Sequence, residues 1–572
     1  MRNNNNHWVW SIVLFSALTF SAFSPPVSVS AGATEVDSTL APGKRLYHEG
    51  ITVDGTPVKA VSQYDINISG KSAACVKCHR PSGFGASEGG YYVPPITAPL
   101  LFAPRQLDRT RLFPDMFQQI QPPTFSARLR QPHMRPAYTT ESLTVTLREG
   151  TDPAGQELAA IMPRYQLSEE DMVALTSYLK TLSAELSPGV DDKEIHFVML
   201  TSDNVPSTDR EPVLETMRMF VDWHNLHLRN NRARPNFSPF HRSPFVPLER
   251  FWSFSVLTLT GENETWQKQV EDFYQAKPFF AIVSGLVRGS WAPVSEFCDR
   301  HRVPCLLPIT DLPVAGAQGG YSVYFSEGLT LEAKVLADYV LHATSPNRRI
   351  FQLAAADPFG QIPSKMLRDK LTTRRPEMPH DLKIYHDLSE LSVKMAEVSR
   401  QLTTDDILVI WPGADAHLDV EAVMQQRPSA GLIVLPSRAI SLTSTVQDND
   451  FLDRLRFVEP HEITVTKHPR SFVVRAWMRT RGLDIPRPTL QFETFYALSL
   501  LEAALMNMRE DYYRDYLIER IERESEKDLN PGIYPRLALG PTQRFASKGA
   551  FIVRLDAEQP GRLVAVSDWI VP

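Results

Sequence analysis

Charge of one sign is what this chain most plainly lacks. Asp and Glu number 66 against 60 Lys and Arg in 572 residues, a balance that does not fit a nucleic-acid binder. There is no nucleophile elbow, no phosphate-cradling glycine loop and no His-Glu zinc motif, so none of these signatures singles out an enzyme. Beyond the N-terminal stretch no segment is long and apolar enough to cross a bilayer. Cysteine is scarce, 4 in all. None precedes Cys75, which excludes lipoprotein anchoring.

What is present starts with length and proline. A chain of 572 residues is too long for one core, so two or three domains are expected. The 45 prolines fit many X-Pro turns in long loops. Residues 1–31 read as a secretory signal peptide: Arg2, a mostly apolar run from Trp8 to Phe23, then Val29-Ser30-Ala31 where a peptidase wants small residues. An uncleaved anchor is the alternative.

The stretch the chain is organised around is Cys75-Val76-Lys77-Cys78-His79. C-x-x-C alone is ambiguous between zinc, disulfide exchange and haem. The adjacent His favours covalent haem c, with Cys75 and Cys78 forming thioethers and His79 beneath the iron. Upstream stands Gly43-Lys44-Arg45-Leu46-Tyr47, and downstream Ile161-Met162-Pro163. Ser168 and Asp171 have capping-box spacing, and Met172, Leu175, Leu179 and Leu182 recur at helical spacing. In this order the features resemble class I c-type cytochromes over residues 39–183. The resemblance implies an all-α domain, one covalent haem, His79 and Met162 as axial ligands, and a Gly43-to-Tyr47 face packed on the final helix. Export agrees with it, since bacterial haem attachment takes place outside the cytoplasm.

The stretch between His79 and Met162 is long for a small cytochrome and reads as an irregular insertion. It offers Met116, Met134 and His133 as rival iron ligands. Its Arg80, Arg105, Arg109, Arg111, Arg128, Arg130 and Arg135 could dock an acidic redox partner or face haem propionates, or form an ordinary solvated face. Cys298 and Cys305 remain, and an oxidising compartment would bridge them; two buried free thiols are the alternative.

After the linker 186–190 the pattern changes. Ile195 to Leu200 is a continuous apolar run, as in a buried parallel strand. Strands then alternate with helices: Glu211 to Leu228, Phe254 to Leu259, Glu264 to Ala276, Phe279 to Val283, Ala292 to Arg302 and Val303 to Leu307. A second series begins with a helix over Leu329 to Ala343. It continues through Arg349 to Ala354, Pro363 to Thr372, Leu382 to Tyr385, Leu391 to Leu402, Ile407 to Ile410, Val420 to Gln426 and Leu432 to Leu435. Two such series predict two doubly wound α/β lobes with a cleft between them. The charged stretch from Asp511 to Asp528 reads as a solvated helix.

The segments Ile282-Val283-Ser284-Gly285, Trp291 to Phe297, Val303 to Pro308, Tyr321 to Phe325, Asp357 to Gly360, Phe492 to Met508 and Arg544 to Phe551 resemble type I periplasmic binding proteins of the branched-chain amino acid kind. The resemblance implies ligand contacts near Ser284, Gly285, Thr310, Asp311 and Asp357, at strand ends where open α/β sheets bind. For each of these a helix cap or turn is the competing role. Arg288 and Trp291 flank the Ser-Gly turn and could block or reshape an amino-acid pocket.

The expected whole is a signal peptide (1–31), a haem domain (32–187) and a binding-protein-like domain (188–572). The expected function is single-electron transfer in the periplasm, with no stable membrane span after signal removal. The second module would dock a redox partner, for example a periplasmic dehydrogenase, or bind a small molecule. A haem-containing sensor and a solute-binding protein of a transport system are the alternatives. Catalysis is less favoured than carriage, because two axial ligands leave no open iron position.

Overall fold

The computed structural model describes residues 32–572 apart from 89–90, 106–133, 234–248, 315–319, 344–347, 415–422, 424, 443–448, 465–466, 526–528, 557 and 560. The signal-peptide stretch therefore lies outside the described residues, as do Met116, His133 and most of the helix expected from Val420 to Gln426.

The N-terminal part is built on a helix crossing. Helix Gly32–Glu49 meets helix Glu169–Leu179 at Gly43, where a Cβ would lie 2.1 Å from the Ala174 carbonyl oxygen. One turn on, Tyr47 is buried with its ring centroid 5.3 Å from that of Tyr178. The second helix starts on a closed capping box. The Asp171 N–H donates to Ser168 Oγ at 3.1 Å and the Ser168 N–H to the Asp171 carboxylate at 3.0 Å, so Asp serves where Glu or Gln is usual. Helix Thr140–Glu149 lies inside the stretch read as irregular; Thr139 caps it, and Leu143 and Leu147 join the same core. A small antiparallel sheet in the order Ile66–Ser69, Lys59–Ser62, Arg164–Gln166 edges this part.

The C-terminal part consists of two α/β lobes. The first has a parallel sheet in the spatial order Ser322–Val323, Cys305–Leu306, Ala281–Val283, Glu194–Ser202, Phe251–Leu259. Every residue of Glu194–Ser202 after the first is buried, the mark of a strand covered on both faces. The apolar helix Pro488–Met508 fills one side of this sheet together with helix Ser207–Ala233. The second sheet runs His380–Tyr385, Ile350–Ala355, Ile407–Trp411, Leu432–Pro436, Leu455–Glu459, Phe551–Leu555, Leu563–Ala565, parallel until its last two strands, which are antiparallel. The chain enters this lobe at helix Leu329–Ala343, leaves after Glu459 and returns before Phe551.

Two expectations need correction. The helix read as Pro363 to Thr372 spans Pro358–Arg374, because Asp357 caps it by accepting the Gly360 N–H at 3.1 Å. The charged stretch after Asp511 is not solvated. Helix Arg514–Glu524 buries Leu517 and Ile521 completely and Glu519 and Glu522 nearly so, because its polar face meets the N-terminal part.

Candidate functional site

Cys75 precedes the short helix Val76–His79. The His79 imidazole is buried, with Nδ1 3.2 Å from the Pro94 carbonyl oxygen. A carbonyl only accepts, so Nδ1 carries the proton and Nε2 keeps a lone pair for a metal. Burial lowers His79 to about 4, so the ring is neutral at neutral pH, as ligation requires. Burial pushes the Cys75 thiol up to about 12. A thiol held protonated is a poor exchange nucleophile.

A cavity beside Cys75 is walled by Leu46, Val58, Ala73, Leu147, Tyr165, Leu167 and Leu175. Its one polar side chain, Tyr165, donates its hydroxyl to the Ala73 carbonyl at 2.9 Å. That bond ties strand Arg164–Gln166, which follows Met162 closely, to the segment entering Cys75. Met162 itself is half-buried against the same core. Two cysteines, a neutral imidazole and a thioether are the donor types that suit haem c. Of the rival ligands, Met134 is 47 % exposed.

Of the insertion's arginines, Arg80 pairs with Glu522. Arg135 donates to the carbonyls of Leu100 and Leu101 at 2.7 and 3.2 Å and lies over the Tyr138 ring. Both are used inside the protein, which removes them from a docking face. Arg109, Arg111, Arg128 and Arg130 lie outside the described residues.

In the second module the expected ligand residues separate. Ser284 is fully buried, its hydroxyl 3.4 Å from Thr494 Oγ1. Gly285 lies against the neighbouring strand, where a Cβ would sit 2.6 Å from the Leu200 carbonyl oxygen. The Asp357 carboxylate is occupied at its helix cap and by the Ala414 N–H at 2.6 Å. Trp291 is buried in the first lobe and cannot block a pocket. Thr310 accepts from the Leu312 N–H at 3.2 Å, and Asp311 approaches a second-lobe residue the sequence did not single out. Arg438, at the end of strand Leu432–Pro436, has Nε 3.8 Å from Asp311 Oδ2, which is beyond hydrogen-bond reach. Its Nη2 donates to the Ala414 carbonyl at 3.0 Å, its guanidinium covers the Phe359 ring, and its Nη1 is buried with no partner. The only sequence signal was an arginine directly after an apolar strand.

Cys298 and Cys305 are free thiols with no exposed surface, the alternative to the expected bridge. Burial pushes Cys305 well above the ordinary thiol range.

Fold and site together define a cytochrome c-like domain joined to a two-lobed binding fold. Residues 70–183 match the family model for cytochrome c. No curated protein matches the chain significantly. Among solved structures, a branched-chain amino acid ABC transporter protein from Thermus thermophilus with bound valine shares the fold of the second part. It is 11% identical, with 67% of this chain and 98% of that chain covered and a TM-score of 0.50. A fatty acid ABC transporter substrate-binding protein from Thermomonospora curvata is 11% identical over 68% of this chain and 95% of its own, with a TM-score of 0.49. The chain thus combines a cytochrome c domain with a type I periplasmic binding protein fold. Among the described residues no helix is long and apolar enough to cross a membrane.

Proposed function

We propose that this protein is an exported carrier of single electrons, with one covalent haem c in residues 32–187 and a binding module in residues 188–572. The observation that carries the reading is the buried His79, placed directly after the cysteine pair with Nδ1 held by Pro94 and Nε2 free. When bound, haem c supplies an iron that alternates between ferric and ferrous. Cys75 and Cys78 would hold it covalently, and His79 and Met162 would supply ligands to its iron, beside the apolar side chains around Cys75. The electron donor belongs to the class of periplasmic dehydrogenases. The test is extraction with acidified organic solvent: the colour should stay with the protein, since thioethers survive, and haem released into the solvent overturns the reading.

A ligand-binding role for the second module is favoured by Arg438, which keeps an unpartnered buried Nη1 while its Nε stands 3.8 Å from Asp311 of the first lobe. A buried guanidinium with donors to spare suits a carboxylate. Protein purified gently and then denatured should release a bound carboxylic acid. None should be released from R438Q, and release at wild-type levels would count against this site.

The Cys298–Cys305 pair belongs to stability. Bridging so short a loop contributes roughly 2–3 kcal/mol in the chain-entropy model. Oxidised protein should resist alkylation at both positions after denaturation without reductant, and two alkylated thiols would show that the bridge does not form.

A further inference from the structure

The loop that follows the proximal histidine is held by the other module. Residues 80, 82 and 84 of this loop, which turns on a bond from the Gly83 N–H to the Arg80 carbonyl at 3.2 Å, meet positions 522, 519 and 516, every third residue of helix Arg514–Glu524. Arg80 pairs with Glu522. The Ser82 N–H donates to Glu519 Oε1 at 2.8 Å and the Ser82 hydroxyl to Oε2 at 2.6 Å. Phe84 stacks on Tyr516 with ring centroids 4.0 Å apart and an interplanar angle of 13°. Ser82 is completely buried, and Glu519 is only 9 % exposed.

The same loop is strained and is gripped from its own side too. Arg80 has φ 66°, unusual for a non-glycine residue. Its carbonyl accepts from the Tyr47 hydroxyl at 2.7 Å, and the Ser82 carbonyl accepts from Ser183 Oγ at 2.7 Å. The Gly85 N–H closes the loop onto the His79 carbonyl at 3.0 Å. The peptide after His79 is therefore fixed between two modules, with the Ser82 N–H bonded to Glu519. Burial pushes Glu519 up to about 8, so its carboxyl is mostly the neutral acid at neutral pH and acts through hydrogen bonds. Glu522 lies between two cations, with Arg544 Nη1 donating to its Oε1 at 2.8 Å. Arg544 sits on the segment leading into the second lobe, and its carbonyl accepts the Tyr324 N–H at 2.7 Å.

We propose that Glu519 and Glu522 of the binding module are positioning residues of the haem site, holding the loop behind His79 and so setting the potential at which this protein carries its electron. This rests on the haem reading above. The binding module is then part of the redox centre and not a passenger. Because Arg544 belongs to the segment joining the lobes, the Arg80–Glu522–Arg544 chain connects that segment to the haem loop.

The two carboxyls act in opposite directions. Removing Glu519 frees the loop and opens the surroundings of His79 to water, which would favour the ferric state of a haem held there and lower the potential. Removing the charge of Glu522 leaves Arg80 and Arg544 uncompensated near the haem, which disfavours ferric iron and raises it. The experiment is an equilibrium redox titration of the full-length holoprotein at neutral pH, with melting temperature recorded alongside. E519A should shift the ferric–ferrous equilibrium at least threefold towards ferric, ~28 mV at about 59 mV per tenfold for one electron. E522Q should shift it by a similar factor towards ferrous. E519Q keeps an acceptor for the Ser82 N–H at the same size and without charge, and should bring the potential back towards the wild-type value. If E519A does not accumulate, Ser82→Ala, which deletes one hydroxyl, replaces it with the same expected sign. Unchanged potentials, shifts of one sign that merely follow melting temperature, or no rescue by E519Q overturn the proposal. A wild-type protein without covalent haem overturns the haem reading instead.

Discussion

Met162→Ala should open the iron to carbon monoxide and cyanide and lower the potential, while the haem stays covalently attached. The thioether is a soft ligand that favours ferrous iron. Its loss should shift the potential on the order of 0.1 V, a modest part of the roughly 0.8 V over which axial ligands set haem potentials. Met162→His should lower the potential too, but keep six-coordination and exclude carbon monoxide. The structural basis is the position of Met162 in the chain. It lies half-buried on the core shared with Cys75 and Val76, just before the strand whose Tyr165 hydroxyl is bonded to Ala73. The Arg164 guanidinium also holds the Met162 carbonyl, so the loop is not free to swing the side chain away. Ferric wild-type protein should show the weak near-infrared sulfur-to-iron charge-transfer band, and Met162→Ala should not. Loss of that band in Met134→Ala with retention in Met162→Ala would transfer the role to Met134. Its absence from wild type would move the protein towards the sensor reading.

The largest expected effect on stability belongs to His461, on the segment that leaves the second lobe. Its Nδ1 lies 2.6 Å from Glu459 Oε1 and its Nε2 3.4 Å from Glu493 Oε1. Glu493 also accepts from the Tyr534 hydroxyl at 2.6 Å. Glu459 ends a strand of the second lobe and Glu493 lies in the core helix of the first, so the imidazolium joins the lobes at their hinge. Burial opposes the charge, but the two carboxylates outweigh it and raise His461 to about 10. His461→Gln keeps the size and leaves both carboxylates without a cation. The expected cost is about 3 kcal/mol, the low end for breaking a buried ion pair, since the ring is 23% exposed. The sign of the pH dependence follows from the raised value. The contribution is complete below the unfolded value of about 6.5 and is lost as pH rises through about 10. Denaturant midpoints measured across that window should fall for wild type and lose this part of the slope in His461→Gln. Parallel curves for the two proteins would show that His461 is not charged in the fold.

Features encoded within a few residues were legible in the sequence. Cys75, Cys78 and His79 are adjacent because one helical turn must present both sulfurs and the imidazole to the same group. Ser168 and Asp171 cap their helix because the cap is a contact between positions three apart. The helix Leu329–Ala343 was read to its observed ends, and the alternation of buried strands with helices gave two α/β series. The helix at Thr140–Glu149 was missed because the prolines and aromatics around it resemble loop, although its Thr139 cap and its Leu143–Leu147 spacing were present.

The acceptor for His79 could not be read, because it is a main-chain carbonyl at Pro94 and any residue type offers one. The charged helix Arg514–Glu524 was misread because pattern reports charge and not partners; Leu517 and Ile521, four apart, were the clue that one face was covered. The sequence by itself displayed the haem-attachment motif and the two architectures, since both rest on local spacing and periodicity. Tertiary structure alone decided that Asp357 caps a helix and that Arg438 meets Asp311 across the lobes. It also decided that Glu519 reaches Ser82 across 437 residues of chain, because contacts between distant segments depend on how whole domains pack.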